Sequence, residues 1–262
     1  MVAKGAYEIV LPARLELLVR LVPESCVVAD VGTGDALVPV VLIRTGKARK
    51  VIACDRSARA LEMCRRTFDR YGLSPAERDC IELREGDGLR PLKRGEARVA
   101  VVAGMGGLTI EKILSRGPVD VAGVYVLGPM SHAKDLRIFL HTAGFTLVEE
   151  AMVCQAGKFY EFEVATPPGS SACAAEAGSS PSQDRFPLVL SGEIGALLWR
   201  RRDPVLKSFL VCREAKLGLL EQRVQGTQRA REISRLRRQM CELISLWDSC
   251  GKFPDETGRC QL

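Results

Sequence analysis

Long apolar runs are missing from this sequence of 262 residues. No stretch approaches the ~20 consecutive apolar residues that a membrane-spanning helix needs, and the segment from Met1 to Glu8 holds no apolar core of a signal peptide. These absences argue against an integral membrane protein and against a secreted one. We therefore expect a cytoplasmic protein with no membrane-spanning segment.

Histidine is scarce, and the cysteines are not grouped. The chain has two histidines, His132 and His141, and none of its 10 cysteines belongs to a C-x-x-C pair. Structural zinc sites use closely spaced Cys and His ligands, so the sequence predicts no metal site. No disulfide framework is indicated either, and we expect the cysteines to be reduced and mostly buried.

Aromatic residues are also few, at 5%, but 47% of the residues are hydrophobic, which is enough for a large core. The net charge of +6 is unevenly distributed. Residues 1–198 carry 24 basic and 24 acidic side chains, whereas residues 199–240 carry 12 basic and 4 acidic ones. A neutral body with a basic C-terminal region favours a polyanion partner, although a solvated helical face gives the same pattern.

Short apolar runs alternate with amphipathic stretches from Cys26 to Val164, as is typical of a parallel sheet with crossover helices. The last two runs are joined only by Gln155-Ala156-Gly157-Lys158, which predicts an antiparallel hairpin that ends the sheet. The sequence thus predicts an α/β fold with a doubly wound sheet. The predicted strands are Cys26–Asp30, Lys50–Asp55, Ile81–Arg84, Arg98–Ala103, Tyr125–Leu127, Thr146–Val153 and Phe159–Val164, and the predicted helices are Pro12–Val22, Val38–Thr45, Ser57–Tyr71, Leu108–Arg116 and His132–Ala143.

The composition changes after the last strand. Residues 166–187 are rich in Pro, Gly, Ser and Ala, which predicts a flexible linker or a long exposed loop. Asp203-Pro204 then opens a helix, and a second helix follows Gln225-Gly226-Thr227, so the two form an antiparallel hairpin. Its apolar seam is predicted to hold Leu206, Phe209 or Leu210, Leu217, Leu220 and Val224 from the first helix and Ile233, Leu236, Met240, Leu243 and Trp247 from the second. The predicted segments are a domain at 1–165, a linker at 166–187, a helical domain at 188–250 and a tail at 251–262.

Three predicted strands end in acidic and glycine-rich sequence. The first is followed by Asp30-Val31-Gly32-Thr33-Gly34, the second ends at Asp55, and the third leads into Gly86-Asp87-Gly88-Leu89. Leu37 occupies the third glycine position of a dinucleotide fingerprint, and no P-loop lysine is present, so a phosphate site is disfavoured. Carboxylates at the carboxyl edge of a sheet suit a cationic amino acid, a ribose diol and an adenine amino group. This pattern favours an S-adenosyl-L-methionine pocket, although a strand-end Asp is more often simple turn chemistry.

Two further loops reach the same predicted edge. Ala103-Gly104-Met105-Gly106-Gly107 follows the fourth strand, and Leu127-Gly128-Pro129-Met130-Ser131 follows the fifth. Their small residues leave room for a planar base, and His132, directly after the second loop, is placed to line the same pocket. Two packing turns would have similar sequences, but four strand ends that converge at one edge favour a ligand site.

These motifs resemble the bacterial TrmK-type tRNA (adenine-22, N1)-methyltransferases, over residues 12–250. The resemblance implies a Rossmann-like class I methyltransferase sheet with a C-terminal coiled-coil hairpin, S-adenosyl-L-methionine as cofactor and tRNA as partner. It implies methyl transfer to N1 of an adenine, at position 22 in that family, by a monomer or a homodimer. The motifs that carry it are Leu11-Pro12-Ala13-Arg14-Leu15, Val28-Ala29-Asp30-Val31-Gly32-Thr33, Gly86-Asp87-Gly88-Leu89, Ala103-Gly104-Met105-Gly106-Gly107, Pro129-Met130-Ser131 and Gly157-Lys158-Phe159-Tyr160-Glu161.

The predicted site residues have three sources: the resemblance, the loops described above, and the spacing of three arginines on the second hairpin helix, which places them away from the apolar seam. The residues that match family positions around the cofactor are Arg14, Asp30, Gly32, Asp55, Asp87 and Met105. For the substrate we expect the pocket residues Gly106, Pro129, Met130 and His132, and the phosphate-binding arginines Arg231, Arg235 and Arg238. For the cofactor we expect Arg14, Asp30, Gly32, Thr33, Gly34, Asp55, Arg56, Asp87, Gly88, Gly104 and Met105.

The sequence departs from the family at the proposed reaction centre. The family continues its first loop with Asp-His-Gly-Tyr, where this chain has Gly34-Asp35-Ala36-Leu37, and the family Gln before Pro-Met is replaced by Gly128. Asp35 is the ionisable side chain left in that loop, and we predict that it serves the adenine amino group as the catalytic residue. A helix cap is the other interpretation of Asp35.

Two other functions remain open on the sequence. A degenerate homologue would bind RNA or a protein through its basic hairpin without turnover. A methyltransferase for a small molecule or a protein would use the same hairpin for dimerisation. Cofactor binding separates the two enzymes from a dead fold. Salt-dependent tRNA binding separates the RNA enzyme and the RNA-binding homologue from the methyltransferase for a small molecule or a protein.

Overall fold

The computed structural model describes residues 9–170, 194–225 and 227–249. The chain divides into two compact units between Leu197 and Leu198. Most of the predicted linker and the whole predicted tail lie outside the described residues, so the predicted domain boundaries stay predictions. The helices are α1 Ala13–Leu21, α2 Leu37–Arg44, α3 Ala58–Arg70, α4 Pro75–Asp79, α5 Gly107–Arg116, α6 Ala133–Thr142, α7 Ala196–Arg200, α8 Pro204–Arg223 and α9 Gln228–Ser249. The strands are β1 Ser25–Val31, β2 Ala48–Asp55, β3 Ile81–Glu85, β4 Ala97–Met105, β5 Ala122–Pro129, β6 Thr146–Gln155 and β7 Lys158–Thr166.

The first unit is built on a seven-stranded sheet in the order β3-β2-β1-β4-β5-β7-β6. Strands β1 to β5 pair in parallel, and β7 pairs antiparallel with both β5 and β6. Strand order reverses direction between β1 and β4, which is where open α/β sheets hold ligands. The predicted doubly wound sheet and its closing hairpin are confirmed. Sequence prediction missed the short helix α4 and a turn of 3₁₀ helix at Val119–Val121.

The central strands β4 and β5 and their neighbour β2 are mostly buried, and burial on both faces explains their apolar sequence. One apolar cluster packs α5 and α6 against the sheet around Ile110, Leu127 and Leu136, and the other packs α1 and α2 around Leu18 and Leu42. Burial of each such side chain contributes roughly 1.5–3 kcal/mol. The two layers hold the carboxyl ends of the strands in fixed register.

A buried ionic cluster supports the antiparallel end of the sheet. Arg137 of α6 is 4% exposed and lies 3.2 Å from Glu150 and 3.5 Å from Glu163, and it also pairs with Glu161. Burial raises the pKa of Glu163 to about 7, an effect that Arg137 partly offsets and Glu150 reinforces. Glu150 also accepts a hydrogen bond from the backbone N–H of Leu197, at 2.7 Å. One arginine thus links α6 to both strands of the hairpin.

The second unit contains the predicted antiparallel helical hairpin. The side chain of Asp203 accepts a hydrogen bond from the N–H of Val205, so α8 begins at the predicted cap. Leu206 and Leu210 of α8 are buried. Ile233, Met240, Leu243 and Trp247 of α9 are buried as well.

The seam prediction is wrong at Leu220, which is 37% exposed, because Gly218 is the buried residue on that turn of α8. There the Arg237 guanidinium packs close to Gly218 and pairs with Glu214 and Glu221. An ionic contact therefore replaces an apolar one in the middle of the hairpin.

Among the helices of the described residues, none is both long and apolar enough to cross a membrane. In the same ranges, no three His, Cys, Asp or Glu side chains group as a metal site would require. The expectation of mostly buried cysteines is wrong for Cys154, Cys212 and Cys241, which are exposed. Cys54 and Cys64 are buried, and burial raises the pKa of both thiols to about 12.

Candidate active site

Two cavities open at the carboxyl edge of the parallel strands, and Gly32 lines both of them. Cavity 1, of about 280 Å³, lies between the sheet edge and α1. Cavity 2, of about 520 Å³, lies between the ends of β2 and β3 and helix α5. Gly32 is the residue that their linings share, and we call the pair of cavities the divided cleft and the position of Gly32 its waist. The predicted residues in cavity 1 are Arg14, Asp30, Gly32, Thr33, Asp35, Gly104, Pro129 and Met130, and those in cavity 2 are Gly32, Asp55, Arg56, Asp87, Gly88 and Met105.

The loop after β1 is held by backbone bonds from β2. The N–H groups of Gly32 and Thr33 donate to the carbonyl of Cys54, at 2.8 and 3.0 Å, and the N–H of Gly34 donates to Asp55 Oδ2 at 3.2 Å. The Cys64 thiol of α3 donates to the Gly34 carbonyl at 3.4 Å. The loop is therefore fixed before any ligand enters, although Gly34 itself lines neither cavity within the described chain.

Asp30 is the buried acid of cavity 1. Its side chain is 6% exposed, and burial raises its pKa to about 6. The Thr33 hydroxyl lies close enough to lower that pKa slightly, yet it is buried without a well-formed hydrogen bond in the described residues. Asp35 and Asp55 raise it further by like-charge repulsion. A buried carboxyl that is costly to ionise is suited to a cationic ligand group.

Asp55 has a structural task as well as a place in cavity 2. Its Oδ1 accepts from the N–H of Ser57 at 3.0 Å, which orients the start of α3, while its Oδ2 holds Gly34. Carboxylate oxygens can accept more than one hydrogen bond each, so capacity for a ligand hydroxyl remains. Asp87 is exposed at the rim of the same cavity, in the turn after β3.

The loops after β4 and β5 are tied to each other. The N–H of Met130 donates to the carbonyl of Met105 at 2.8 Å, and the N–H of Gly107 donates to the carbonyl of Ser131 at 2.7 Å. Gly106 and His132 belong to these loops, but neither lines a cavity in the part of the chain that is described. His132 is exposed, and its ring lies 3.0 Å from the Ser131 hydroxyl.

Gly128 lines cavity 1, at the position where the resembled family has Gln. A Cβ atom at this position would lie 2.8 Å from the ring of Phe162 and 2.9 Å from Cβ of Ala103. The space of that side chain is therefore filled in this chain by Phe162 of β7.

Sequence reasoning missed the contribution of β7 to cavity 1. Because Leu127 pairs with Glu163 in the antiparallel β5–β7 ladder, Tyr160 and Glu161 come to lie beside the end of β5. The Arg14 guanidinium lies 5.8 Å from the Tyr160 ring centre, and the backbone N–H of Arg14 donates to Gln155 Oε1 at 3.0 Å. The motif around Tyr160 marked the region, but its position followed only from the strand register.

The predicted site residues of the second unit lie on α9. Arg231, Arg235 and Arg238 are all exposed, as their spacing away from the seam predicts. Arg231 and Arg238 border a surface hollow together with Thr227 and Ser234, and Arg235 does not. In the ranges that the structure describes, none of the three side chains forms an ion pair, so they are exposed to an external ligand.

Comparison with known proteins identifies the family. A family model described as a methyltransferase domain matches residues 11–162. A tRNA (adenine(22)-N(1))-methyltransferase of Bacillus subtilis is 32% identical over 160 residues, which are 60% of this chain and 66% of that protein. The chain thus aligns with slightly less than two thirds of its relative's length.

Solved structures match over more of the chain. The B. subtilis m1A22 tRNA methyltransferase TrmK matches with a TM-score of 0.71 and 26% identity, covering 90% of this chain and all of that one. The M. capricolum TrmK in complex with S-adenosyl-homocysteine has a TM-score of 0.71 at 19% identity, and it covers 90% of this chain and 98% of its own, which supports the fold. The predicted Rossmann-like sheet and the resemblance read from the motifs are confirmed. The chain belongs to the methyltransferase domain family, and within it the TrmK-type tRNA methyltransferases are the proteins that it resembles.

Proposed function

We propose that this protein transfers a methyl group from S-adenosyl-L-methionine to N1 of an adenine in tRNA, at position 22 by its similarity to the B. subtilis enzyme. The observation that carries the proposal is the divided cleft. Asp30, Asp55 and Asp87, which come from three different strand ends, line two cavities that share Gly32. A ligand with a cationic amino-acid end and a nucleoside end matches this division.

The donor set of cavity 1 fits the amino-acid end of the cofactor. Arg14 is the basic residue that lines cavity 1, and its guanidinium would hold the carboxylate of the cofactor. The buried Asp30 would accept a hydrogen bond from the ammonium group of the cofactor. A cation beside Asp30 offsets the burial that raises the pKa of that carboxyl to about 6. The buried Thr33 hydroxyl, which lacks a well-formed bond in the described residues, adds a polar group to the same pocket.

The donor set of cavity 2 fits the nucleoside end. Asp55 would accept from the ribose hydroxyls, with Arg56 beside it, and Asp87 would accept from the adenine amino group. Gly88 and Met105 complete the walls of this cavity, and Gly104 lies on the other side of the waist. A cofactor that spans both cavities would place its sulfonium near Gly32.

The acceptor base would lie in cavity 1, beside the loops after β4 and β5, which the hydrogen bond from the Met130 N–H to the Met105 carbonyl ties together. When bound, the cofactor supplies a methyl group on a good leaving group. The protein therefore has to orient adenine N1 in line with that methyl and to exclude water. Asp35 lines cavity 1 and would hold the adenine amino group and accept its proton, while Pro129 and Met130 form the facing wall.

The tRNA body would be held in part by α9. Arg231, Arg235 and Arg238 are exposed on one helix, and each could neutralise a phosphate. The reaction would take place in the cytoplasm, where tRNA is modified, and the acting species would be a monomer or a homodimer.

A degenerate, binding-only homologue is the second candidate. It is favoured by one observation, that Asp35 Oδ1 already accepts the N–H of Leu37 at 3.3 Å at the start of α2. If that bond is the whole role of Asp35, the first loop holds no residue for the base.

The deciding experiment uses the purified chain, S-adenosyl-L-methionine with a labelled methyl group, and unmodified tRNA, followed by nucleoside analysis. We expect label in 1-methyladenosine. Cofactor binding without label in any tRNA nucleoside would instead support the binding-only homologue.

A further inference from the structure

Cavity 2 is bordered by positively charged side chains that have no role in binding its proposed ligand. Arg90, Lys112 and Arg116 line it, and we call these three residues the basic rim. Lys112 and Arg116 are four residues apart on α5, so they lie on one face of that helix, and Arg90 follows the Asp87 turn. All three side chains are exposed.

The basic rim has no ion-pair partner in the described part of the chain. Other arginines of the same region do have one, since Arg84 pairs with Glu96 at 2.8 Å and Arg94 pairs with Asp120. These acidic side chains are paired with other arginines, and no acidic side chain of the described ranges forms an ion pair with the rim.

The proposed cofactor does not explain these charges. S-adenosyl-L-methionine carries a sulfonium, an ammonium and one carboxylate, and so is itself a cation. Like charges repel, by about 1 kcal/mol at 4 Å in water, so the three cations of the rim add no attraction for the cofactor. An anionic partner would be attracted by them.

We propose that the basic rim binds the phosphodiester backbone of the RNA substrate, so that the methyltransferase unit itself, apart from the α9 arginines, grips RNA. This proposal rests on the proposed function, because it takes RNA as the substrate. Lys112 and Arg116 are separated by a helical rise of ~6 Å on one face of α5, so an extended strand could contact the two side chains in turn.

A free phosphate or nucleotide fits the rim less well than a nucleic acid strand. Small phosphate groups are typically cradled by backbone N–H groups at a helix N-terminus or in a nest. Lys112 and Arg116 lie in the second half of α5, where the helix dipole opposes an anion. Only their flexible side chains can attract phosphate there. Contacts of this kind are typical of proteins that bind the phosphate backbone of a nucleic acid.

The test compares Lys112→Gln/Arg116→Gln with a control of equal charge change, Arg20→Gln/Arg98→Gln. Arg20 and Arg98 are exposed and line neither cavity of the described chain. Binding of unmodified tRNA is measured between 50 and 300 mM salt, which brackets the roughly physiological range in which phosphate contacts are salt-sensitive. Cofactor affinity is measured by calorimetry on the same samples.

Two neutralised contacts should lower the salt slope of tRNA binding by about 1.5–2 units and weaken binding at 0.1 M salt by about 10–50-fold. Cofactor affinity should stay equal or rise slightly, because a repulsive charge is lost. The control should keep the wild-type slope. Arg90→Gln, added to the rim variant, should lower the slope by somewhat less than one further unit.

An unchanged salt slope in the rim variant would overturn the proposal, as would equal losses in rim and control variants. Tight binding of inorganic phosphate or pyrophosphate that the rim variant loses, with tRNA binding unaffected, would assign the rim to a small anion and also overturn it. Failure of the proposed function has a different signature. The wild-type protein would then transfer no methyl group to tRNA, while its tRNA binding could still be compared with that of the variants.

Discussion

The side chain of Met105 packs directly over Gly32, so that a Cβ atom on residue 32 would lie 2.6 Å from the terminal methyl of Met105. Gly32 lines both cavities and has a φ of +77°, in the left-handed region that favours glycine. The contact sets the width of the cleft at its waist. It also brings a residue of the β4 loop against the loop that follows β1.

Gly32→Ala should therefore weaken cofactor binding as well as the fold. The left-handed backbone costs an alanine about 1–2 kcal/mol, and the new methyl must displace Met105 into the cleft. We expect the dissociation constant of S-adenosyl-L-methionine to rise at least ~10-fold, which corresponds to about 1.4 kcal/mol. Calorimetry measures the binding, and urea unfolding measures the stability.

The matched control for this change is Gly46→Ala. Gly46 also has a positive φ, +70°, but a Cβ there meets no atom within 4 Å, and the residue lines neither described cavity. The Gly46→Ala variant should lose a similar free energy of unfolding and keep the cofactor affinity of the wild type. Equal binding losses in the two variants would mean that the Met105 contact is irrelevant to the cleft.

Asp30→Asn should stabilise the protein while it weakens cofactor binding. Burial raises the pKa of Asp30 from its ordinary 3.8 to about 6, so the folded state holds this proton more tightly than the unfolded state does. Wild-type stability is therefore lost as the pH rises from about 4 to about 6, by an amount on the order of 3 kcal/mol. Asparagine has no charge to bury, and its gain in unfolding free energy should appear at pH 7.5 and vanish near pH 4.

Urea unfolding at pH 4.5 and 7.5 checks the stability of the Asp30→Asn variant, with Asp79→Asn as the control. Asp79 is exposed, and its substitution should change stability by less than about 0.5 kcal/mol at either pH. Wild-type cofactor affinity should fall as the pH drops below about 6, because Asp30 is then protonated. A pH-independent affinity would remove Asp30 from contact with the ammonium group.

Asp55→Ala should weaken S-adenosyl-L-methionine binding by about 1–3 kcal/mol, the scale for the loss of a charged hydrogen-bond acceptor. The variant also releases the N–H groups of Gly34 and Ser57, so some of that loss comes from a looser loop. Asp55→Asn keeps one acceptor oxygen and should lose less. If both variants bind as the wild type does in calorimetry, Asp55 only supports the loop.

The sheet was predictable from the sequence because its signal is local. Buried parallel strands are short apolar runs, and each of the predicted runs is part of a strand in the structure. The acids at the strand ends were predictable for the same reason, since Asp30, Asp55 and Asp87 each follow such a run. Because β1, β2 and β3 are parallel neighbours, their carboxyl ends bring the three acids to one edge of the sheet.

The rest of the site depends on register and packing that no local pattern contains. Tyr160 and Glu161 reach cavity 1 only because β7 returns antiparallel beside β5. Leu220 fits an apolar seam by spacing, yet the large Arg237 side chain occupies the adjacent turn at Gly218. In the sequence, Lys112 and Arg116 are typical of solvated helix residues. Only the structure shows that they border cavity 2.

The arginines of α9 are tested by changing Arg231, Arg235 and Arg238 to Gln together. If each contacts a phosphate, the salt slope of tRNA binding should flatten by roughly two to three units, with cofactor affinity unchanged. The control replaces Arg59, Arg65 and Arg70, three exposed arginines of α3, by Gln. Wild-type tRNA affinity and salt dependence in the α9 variant would assign the basic stripe to solvent and the hairpin to packing or oligomerisation.

Asp35 decides between an enzyme and a binding protein. It is exposed, it lines cavity 1, and its Oδ1 accepts the N–H of Leu37 at 3.3 Å. Asp35→Asn keeps an oxygen for that hydrogen bond and removes the charge, so it separates the two roles. Methyl transfer to tRNA should fall by roughly 10²–10⁴-fold, the range for a general base, while cofactor affinity and unfolding free energy stay nearly unchanged.

Asp35→Ala completes the comparison, because it removes both the charge and the hydrogen bond. It should lose transfer as the Asn variant does and, in addition, about 0.5–1.5 kcal/mol of stability, the scale of one hydrogen bond, because Ala36 and not Asp35 is the N-cap residue of α2. If Asp35→Asn transfers within a few-fold of the wild type and Asp35→Ala loses only stability, Asp35 only supports the turn before α2 and the base is served by another group. If the unmutated protein methylates no tRNA, the family residues replaced at Gly34, Asp35 and Leu37 were required for the reaction, and this chain binds without turnover.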